Sequence, residues 1–345
     1  MNITKTLRYL LTASIIASST LFIACEQKSD NNSQNKKSIV VATYPEYEWL
    51  YQIIGQNTDQ FSVKLLMDSG VDAHSYEPTI QDIAAINKAD LFIYNGGSSY
   101  KWVDRVLKLE AKEGRQTINL MESLEDEIQL LEGEPCDHDH AHGATCEHEH
   151  EHDASCEHEH GCEHHHAHED EHIWLSLRNA IILCSVIEDA VSELTPTQSA
   201  ELEANKQAYI AQLKALDERY TETAQKAGRD TLIIADRFPF VYLLHDYGIK
   251  HHAAFHGCSA ETEASFETIT KLSTLLKELK PHAILKVHGG MQKLAQTLIT
   301  NSGQSDCQIL DLYDFHTVPD ANPASKHYLE LMEKNRQAIE AALAP

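Results

Sequence analysis

The chain has 345 residues, with 28 Lys plus Arg against 53 Asp plus Glu, so its formal net charge is −25 with histidine neutral. That length allows one large domain or two lobes with an ample core. The acidity excludes a nucleic-acid-binding protein, because a phosphate backbone would be repelled, and a hydrophobic content of 42% excludes a wholly disordered chain.

Residues 1–25 read as a lipoprotein signal peptide. Lys5 and Arg8 form a basic start, and residues 10–23 are apolar but short for a bilayer span. The stretch Leu21-Phe22-Ile23-Ala24-Cys25 resembles a bacterial lipobox, in which the small residue permits cleavage and the Cys25 thiol carries lipid. Residues 26–37 are polar and rich in Asn, Ser and Lys, a flexible tether. The expected location is outside the cytoplasm, in a periplasm or at a cell surface, with a lipid anchor in the membrane at Cys25. No later stretch is long and apolar enough for a membrane helix.

Residues 38–195 form a first α/β lobe. Strands are predicted at 38–43, 62–67, 91–94 and 117–120, and helices at 46–54, 80–87, 101–109 and 175–194. Such alternation argues for a parallel sheet with helices on both faces. Residues 196–228 form a linking helix. Pro196 suits a first turn, residues 198–226 lack Pro and Gly and carry Leu202, Tyr209, Leu213, Leu216 and Tyr220, and Gly228 is a stop signal. Its length is about 45 Å at 1.5 Å per residue. Residues 229–345 form a second lobe, with strands at 231–235, 251–255, 283–287 and 308–310 and helices at 239–246, 263–279, 291–299 and 325–343. The fold class is therefore α/β: two parallel-sheet lobes joined by one long rigid helix, with a metal site in the cleft between them. In open parallel sheets, ligands sit beyond the carboxyl ends of strands, so the residues that follow strands are the candidates.

After the second strand comes Asp72-Ala73-His74-Ser75-Tyr76-Glu77-Pro78, where Pro78 keeps Glu77 out of the helical region and stiffens the turn. Just before a helix comes His172-Ile173-Trp174-Leu175-Ser176. After the last predicted strand comes Asp311. Two imidazoles and a carboxylate in one cleft make a mixed nitrogen and oxygen metal site.

These stretches, together with Ala260-Glu261-Thr262-Glu263-Ala264-Ser265, the joining helix and an acidic His-rich insert before His172, make residues 38–345 resemble the zinc/manganese ABC-transporter substrate-binding proteins, the ZnuA-like family. The resemblance implies two lobes that bend little around the helix, metal ligands at His74, His172 and Asp311, and an ABC-transporter membrane permease as partner; the protein itself is expected to be a monomer. In one place the chain departs from the pattern. The family usually has a histidine, or a glutamate in manganese binders, where this chain reads Ala235-Asp236-Arg237-Phe238. Asp236, or His256, Cys258 or His288 after later strands, would then supply the missing ligand. Cys258 is the first choice, since Gly257 allows a sharp turn toward the cleft, and His288 is the next. Soft and borderline donors favour Zn²⁺ over Mn²⁺.

The insert, residues 133–171, concentrates ligands without a fold. Residues 133–172 hold 13 of the 22 histidines and 13 acids, with no Lys or Arg. His138, His140, His142, His148, His150, His152, His158, His160, His164, His165, His166 and His168 lie among carboxylates and the thiols of Cys136, Cys146, Cys156 and Cys162. No apolar residue larger than alanine stands there apart from Pro135 and the cysteines, so little offsets the entropy of ordering. The expected role is a metal-collecting arm that exchanges Zn²⁺ quickly. His148-Glu149-His150-Glu151-His152 and His168-Glu169-Asp170-Glu171-His172 both satisfy H-E-x-x-H, but that metalloprotease motif needs a buried helix with the Glu on a metal-bound water. Cys184 is expected in the core. Cys258 and Cys307 lie at opposite ends of their strands, too far apart for a disulfide.

The function expected is a non-enzymatic receptor that captures Zn²⁺ and delivers it to a permease. The alternatives are a manganese or iron receptor of the same build, and a metal-storage or adhesion lipoprotein.

Overall fold

The computed structural model describes residues 36–68, 71–125, 170–255, 257, 263–316 and 327–345. Cys25, the insert through His168, His256 and Cys258 lie outside the described residues.

The first sheet is built from β1 (Lys37–Val41), β2 (Phe61–Leu65), β3 (Leu91–Tyr94) and β4 (Gln116–Asn119), in the order β2-β1-β3-β4 and parallel throughout. The second repeats that plan with β5 (Thr231–Ile234), β6 (Lys250–Ala253), β7 (Ala283–Val287) and β8 (Gln308–Leu312), in the order β6-β5-β7-β8. The central strands β3 and β7 are buried along their whole length. Strands covered on both faces read as near-continuous apolar runs, and in β7 only Lys286 interrupts the run.

In the first lobe, α1 (Tyr44–Ile54), α2 (Ile80–Lys88), α3 (Lys101–Leu107), α4 (Glu122–Glu125) and α5 (Leu177–Leu194) cover the sheet. Thr79 starts α2 with a complete capping box: its hydroxyl accepts from the Asp82 amide, and the Asp82 carboxylate accepts from the Thr79 amide. This fixes where the His74 loop ends and the helix begins.

The long helix α6 (Ser199–Lys226) has 28 residues, about 42 Å. Its buried apolar residues, Leu202, Tyr209, Leu213, Leu216 and Tyr220 among them, recur at helical spacing and pack into one apolar core that continues from the first lobe into the second. Lys206 is buried on the same face because Glu188 of α5 lies 2.7 Å from its Nζ. The helix ends at Ala227, which is extended. Gly228 serves a different need from a helix stop: a Cβ there would stand 2.6 Å from Pro345, so only glycine lets the chain's last residue approach.

The second lobe adds α7 (Val241–Asp246), α8 (Phe266–Leu279), α9 (Gln292–Ser302) and α10 (His327–Ala342). Hydrogen bonds tie the lobes across the cleft, among them a group around Trp174 and Tyr328. Trp174 Nε1 donates to the Asp314 carbonyl at 2.9 Å, the Tyr328 hydroxyl donates to the Trp174 carbonyl at 2.7 Å, and the Tyr328 amide donates to Glu48 Oε2 at 2.9 Å. Among the described residues no helix is long and apolar enough to cross a membrane.

One strand boundary matters for function. The last strand was expected to stop at residue 310, leaving Asp311 on a loop. It runs instead to Leu312, and Asp311 sits inside it, in register with Lys286 of β7. Cys184 is a fully buried free thiol, as expected, and Cys307 is also free and buried.

Candidate metal centre

Three histidines from three separate loops converge. His74 lies in the short turn after β2, His172 just before α5, and His316 four residues after β8. Their rings form a nearly equilateral triangle, with centroids 5.5 Å apart for His74 and His172, 5.1 Å for His74 and His316, and 5.4 Å for His172 and His316. One ligand nitrogen from each falls within 4.8 Å of the others, and this is the group that could hold a metal ion among the described residues. The His172 side chain is 3% exposed, that of His316 11% and that of His74 26%, so the triangle is open to solvent on the His74 side.

The same local device holds all three loops. The His74 amide donates to Asp72 Oδ1 at 3.0 Å, the His172 amide to Asp170 Oδ1 at 2.9 Å, and the His316 amide to Asp314 Oδ1 at 3.2 Å. Each is an aspartate side chain closing a turn two residues on. Asp-x-His occurs three times in the chain, at 72–74, 170–172 and 314–316, and at each the histidine is a member of the triangle.

Carboxylates also meet the rings. His172 Nδ1 lies 2.9 Å from Asp170 Oδ1, and His74 Nδ1 lies 3.1 Å from Glu171 Oε1 and 2.8 Å from the Ser99 hydroxyl. Asp72 reaches from the first lobe toward two groups of the second, 3.9 Å from His316 Nδ1 and 3.9 Å from Arg237. Burial would raise the Glu171 carboxyl, but the hydrogen bonds from His74 and Ser99 and the nearby His172 outweigh it and hold it at about 2. It is therefore an anion at any physiological pH. Trp174 stands edge-on to two of the rings, 5.2 Å from His172 and 5.6 Å from His316.

His74 and His172 are thus brought together, and Asp311 is not part of the group. Its Oδ1 lies 2.6 Å from Lys286 Nζ and its Oδ2 2.9 Å from His288 Nδ1. Burial raises its carboxyl, while Lys286 and His288 more than compensate and lower it. His288 stacks on Tyr313 at 4.5 Å. Asp236 is fully buried and braces the backbone: its Oδ2 accepts from the Met291 amide at 2.7 Å and its Oδ1 from the Arg237 amide at 2.9 Å. Ala235, where the resemblance expects a histidine, is packed in the second lobe's core. The second lobe's imidazole comes from the loop after β8. Sequence reasoning stopped at Asp311, the first residue after the predicted strand, and so passed over His316; the Asp-x-His pattern shared with His74 and His172 was the signal that marks it.

Residues 39–342 match the family described as zinc-uptake complex component A, periplasmic. The high-affinity zinc uptake system protein ZnuA of Bacillus subtilis is 31% identical over 94% of this chain and 94% of its own length. The zinc-binding lipoprotein AdcA of Streptococcus pneumoniae is 32% identical over 96% of this chain, which spans 60% of that relative. The crystal structure of the Zn(II)-bound ZnuA-like domain of the same pneumococcal AdcA superposes with a TM-score of 0.66 at 28% identity, covering 90% of this chain and all of that domain. The metal-dependent lipoprotein YcdH from Bacillus subtilis gives 0.67 at 27% identity, again over 90% of this chain and all of the other. With its paired parallel sheets, long joining helix and family match over nearly the whole body, the chain belongs to the periplasmic zinc-uptake component A family.

Proposed function

We propose that this protein is the extracytoplasmic receptor of a zinc-uptake system, which captures Zn²⁺ between its lobes and presents it to an ABC-transporter permease. The observation that carries this reading is the triangle of His74, His172 and His316, two ligands from the first lobe and one from the second. Three neutral imidazoles suit zinc, which takes tetrahedral nitrogen sites at about 2.0–2.1 Å. Manganese prefers oxygen donors, and the triangle offers none. A fourth donor from Cys258 or His256 would close the tetrahedron; a water would leave it open and the site weaker. Cys258→Ser and His256→Ala together separate the two: loss of affinity in either marks a closed site, and no loss in both marks the open one.

The receptor is proposed to be held at the membrane by lipid on Cys25, with residues 133–171 serving as a metal-collecting arm whose weak sites feed the cleft. Release, and not turnover, is the chemistry asked of it. Competitive titration against a chelator tests the reading. One tight Zn²⁺ per chain, binding at least about a hundredfold tighter than Mn²⁺, is expected. Preference for Mn²⁺, or hydrolytic turnover by the zinc-loaded protein, would overturn it.

A further inference from the structure

His74 is the most exposed of the three rings and sits on a loop, so something other than packing must orient it. Glu171 supplies that. It is 7% exposed and held at four points. Its carbonyl accepts from Asn95 Nδ2 at 2.7 Å, its Oε2 from the Ser99 amide at 3.1 Å, its Oε1 from the Ser99 hydroxyl at 2.5 Å, and the same Oε1 meets His74 Nδ1 at 3.1 Å. The residue before it is pinned from the other lobe, where the Tyr242 hydroxyl donates to the Asp170 carbonyl at 3.0 Å. Backbone room is made as well: a Cβ on Gly97, at φ +87°, would come within 2.6 Å of Glu171 Oε2.

The proton count then fixes the tautomer. The Ser99 hydroxyl has one proton and gives it to the carboxylate, so toward His74 it can only accept. The carboxylate also only accepts. His74 Nδ1 must therefore carry hydrogen, and Nε2 is the nitrogen with a lone pair for metal. The same logic at Asp170 protonates Nδ1 of His172. We propose that Glu171, seated by Ser99, is the positioning residue of this site: it selects the Nδ1–H form of His74, aims Nε2 at the zinc position and makes that nitrogen a stronger donor. This rests on the His74, His172, His316 reading of the site.

The test is zinc affinity by chelator competition on the full chain, for Glu171→Gln, Glu171→Ala and Ser99→Ala, with His74→Ala alongside. Glu171→Gln keeps the shape and removes the charge, and should weaken zinc about 10- to 100-fold; Glu171→Ala should weaken it further. Ser99→Ala leaves the carboxylate in place and should lose less than either. Nitrogen-15 spectra of the metal-free protein should show His74 as the Nδ1–H form in the wild type and a mixture in Glu171→Ala, a change that a merely structural role would not produce. If His74→Ala collapses binding while both Glu171 variants stay within threefold of wild type and the tautomer is unchanged, the positioning role is wrong. If His74→Ala itself changes nothing, the site reading fails first.

Discussion

The Oδ1 of Asp311 lies 2.6 Å from the Nζ of Lys286, and the two residues are paired in register on adjacent strands. A carboxylate neutralised by a buried ammonium is a poor metal ligand, since zinc would have to displace the lysine. Asp311→Asn should leave zinc affinity within about threefold of wild type. It should lower stability by about 1–2 kcal/mol, because Lys286 is buried and loses its counter-charge while Asp311, a third exposed, is partly screened by solvent. Chelator competition and thermal unfolding of the same variant check both halves.

Trp174 is the natural reporter of the site, because it stands edge-on to the rings of both His172 and His316. Zinc titration should change tryptophan emission with the stoichiometry of the tight site. Trp174→Phe should abolish that change, since the chain's other tryptophans pack on other rings, Trp49 on Tyr328 and Trp102 on Tyr76, Phe92 and Tyr100. The variant should also lose about 1–3 kcal/mol of stability with the hydrogen bond to the Asp314 carbonyl. A full emission change in Trp174→Phe would show that the ion binds elsewhere.

The insert should add sites without making the principal one. Deleting residues 136–168, which spares Asp170 and Glu171, should lower zinc stoichiometry and keep one tight ion. Calorimetry on the deleted protein decides it, and loss of all tight binding would place the real site in the insert. Acidification should empty the insert as its imidazoles protonate near pH ~6.5.

Two buried acids on α1 set a pH dependence of their own. Burial raises both Glu46 and Glu48 to about 7, against hydrogen bonds from Thr43 to Glu46, and from the Tyr328 amide and Tyr44 to Glu48, that lower them. Their folded values lie above the unfolded value of 4.5. The unfolded chain therefore releases these protons first as pH rises. The stability they lend is full below about pH 4.5 and is lost as pH climbs to about 7, at most about 3 kcal/mol per group. Metal-free protein should melt lower at pH 8 than at pH 5, and Glu48→Gln should flatten that slope. Parallel slopes for variant and wild type would contradict it.

Much of this was legible in the sequence. The strands β1, β3, β5 and β7 are short apolar runs between turn residues, and α6 runs for 28 residues without proline or glycine; both signals are local. His74 and His172 stood out as candidates because each sits at the edge of a well-marked element, and the structure brings their rings together. Asp311 was misplaced because Leu310, Asp311 and Leu312 break an apolar run with a charge. Only the pairing with Lys286 on β7 shows that the charge is accommodated inside the sheet. His316 was passed over because only the first residue after that strand was taken as a candidate. The Glu171–His74 contact spans most of the insert and depends on the tertiary fold, so spacing alone could not give it.

The most direct measurement of the two-lobe site is a crystal structure of the zinc-loaded protein with anomalous data at the zinc edge. The expected result is one strong peak about 2.0–2.1 Å from a nitrogen of each of His74, His172 and His316. A principal peak bonded to Asp311 and His288, with the triangle empty, would contradict it.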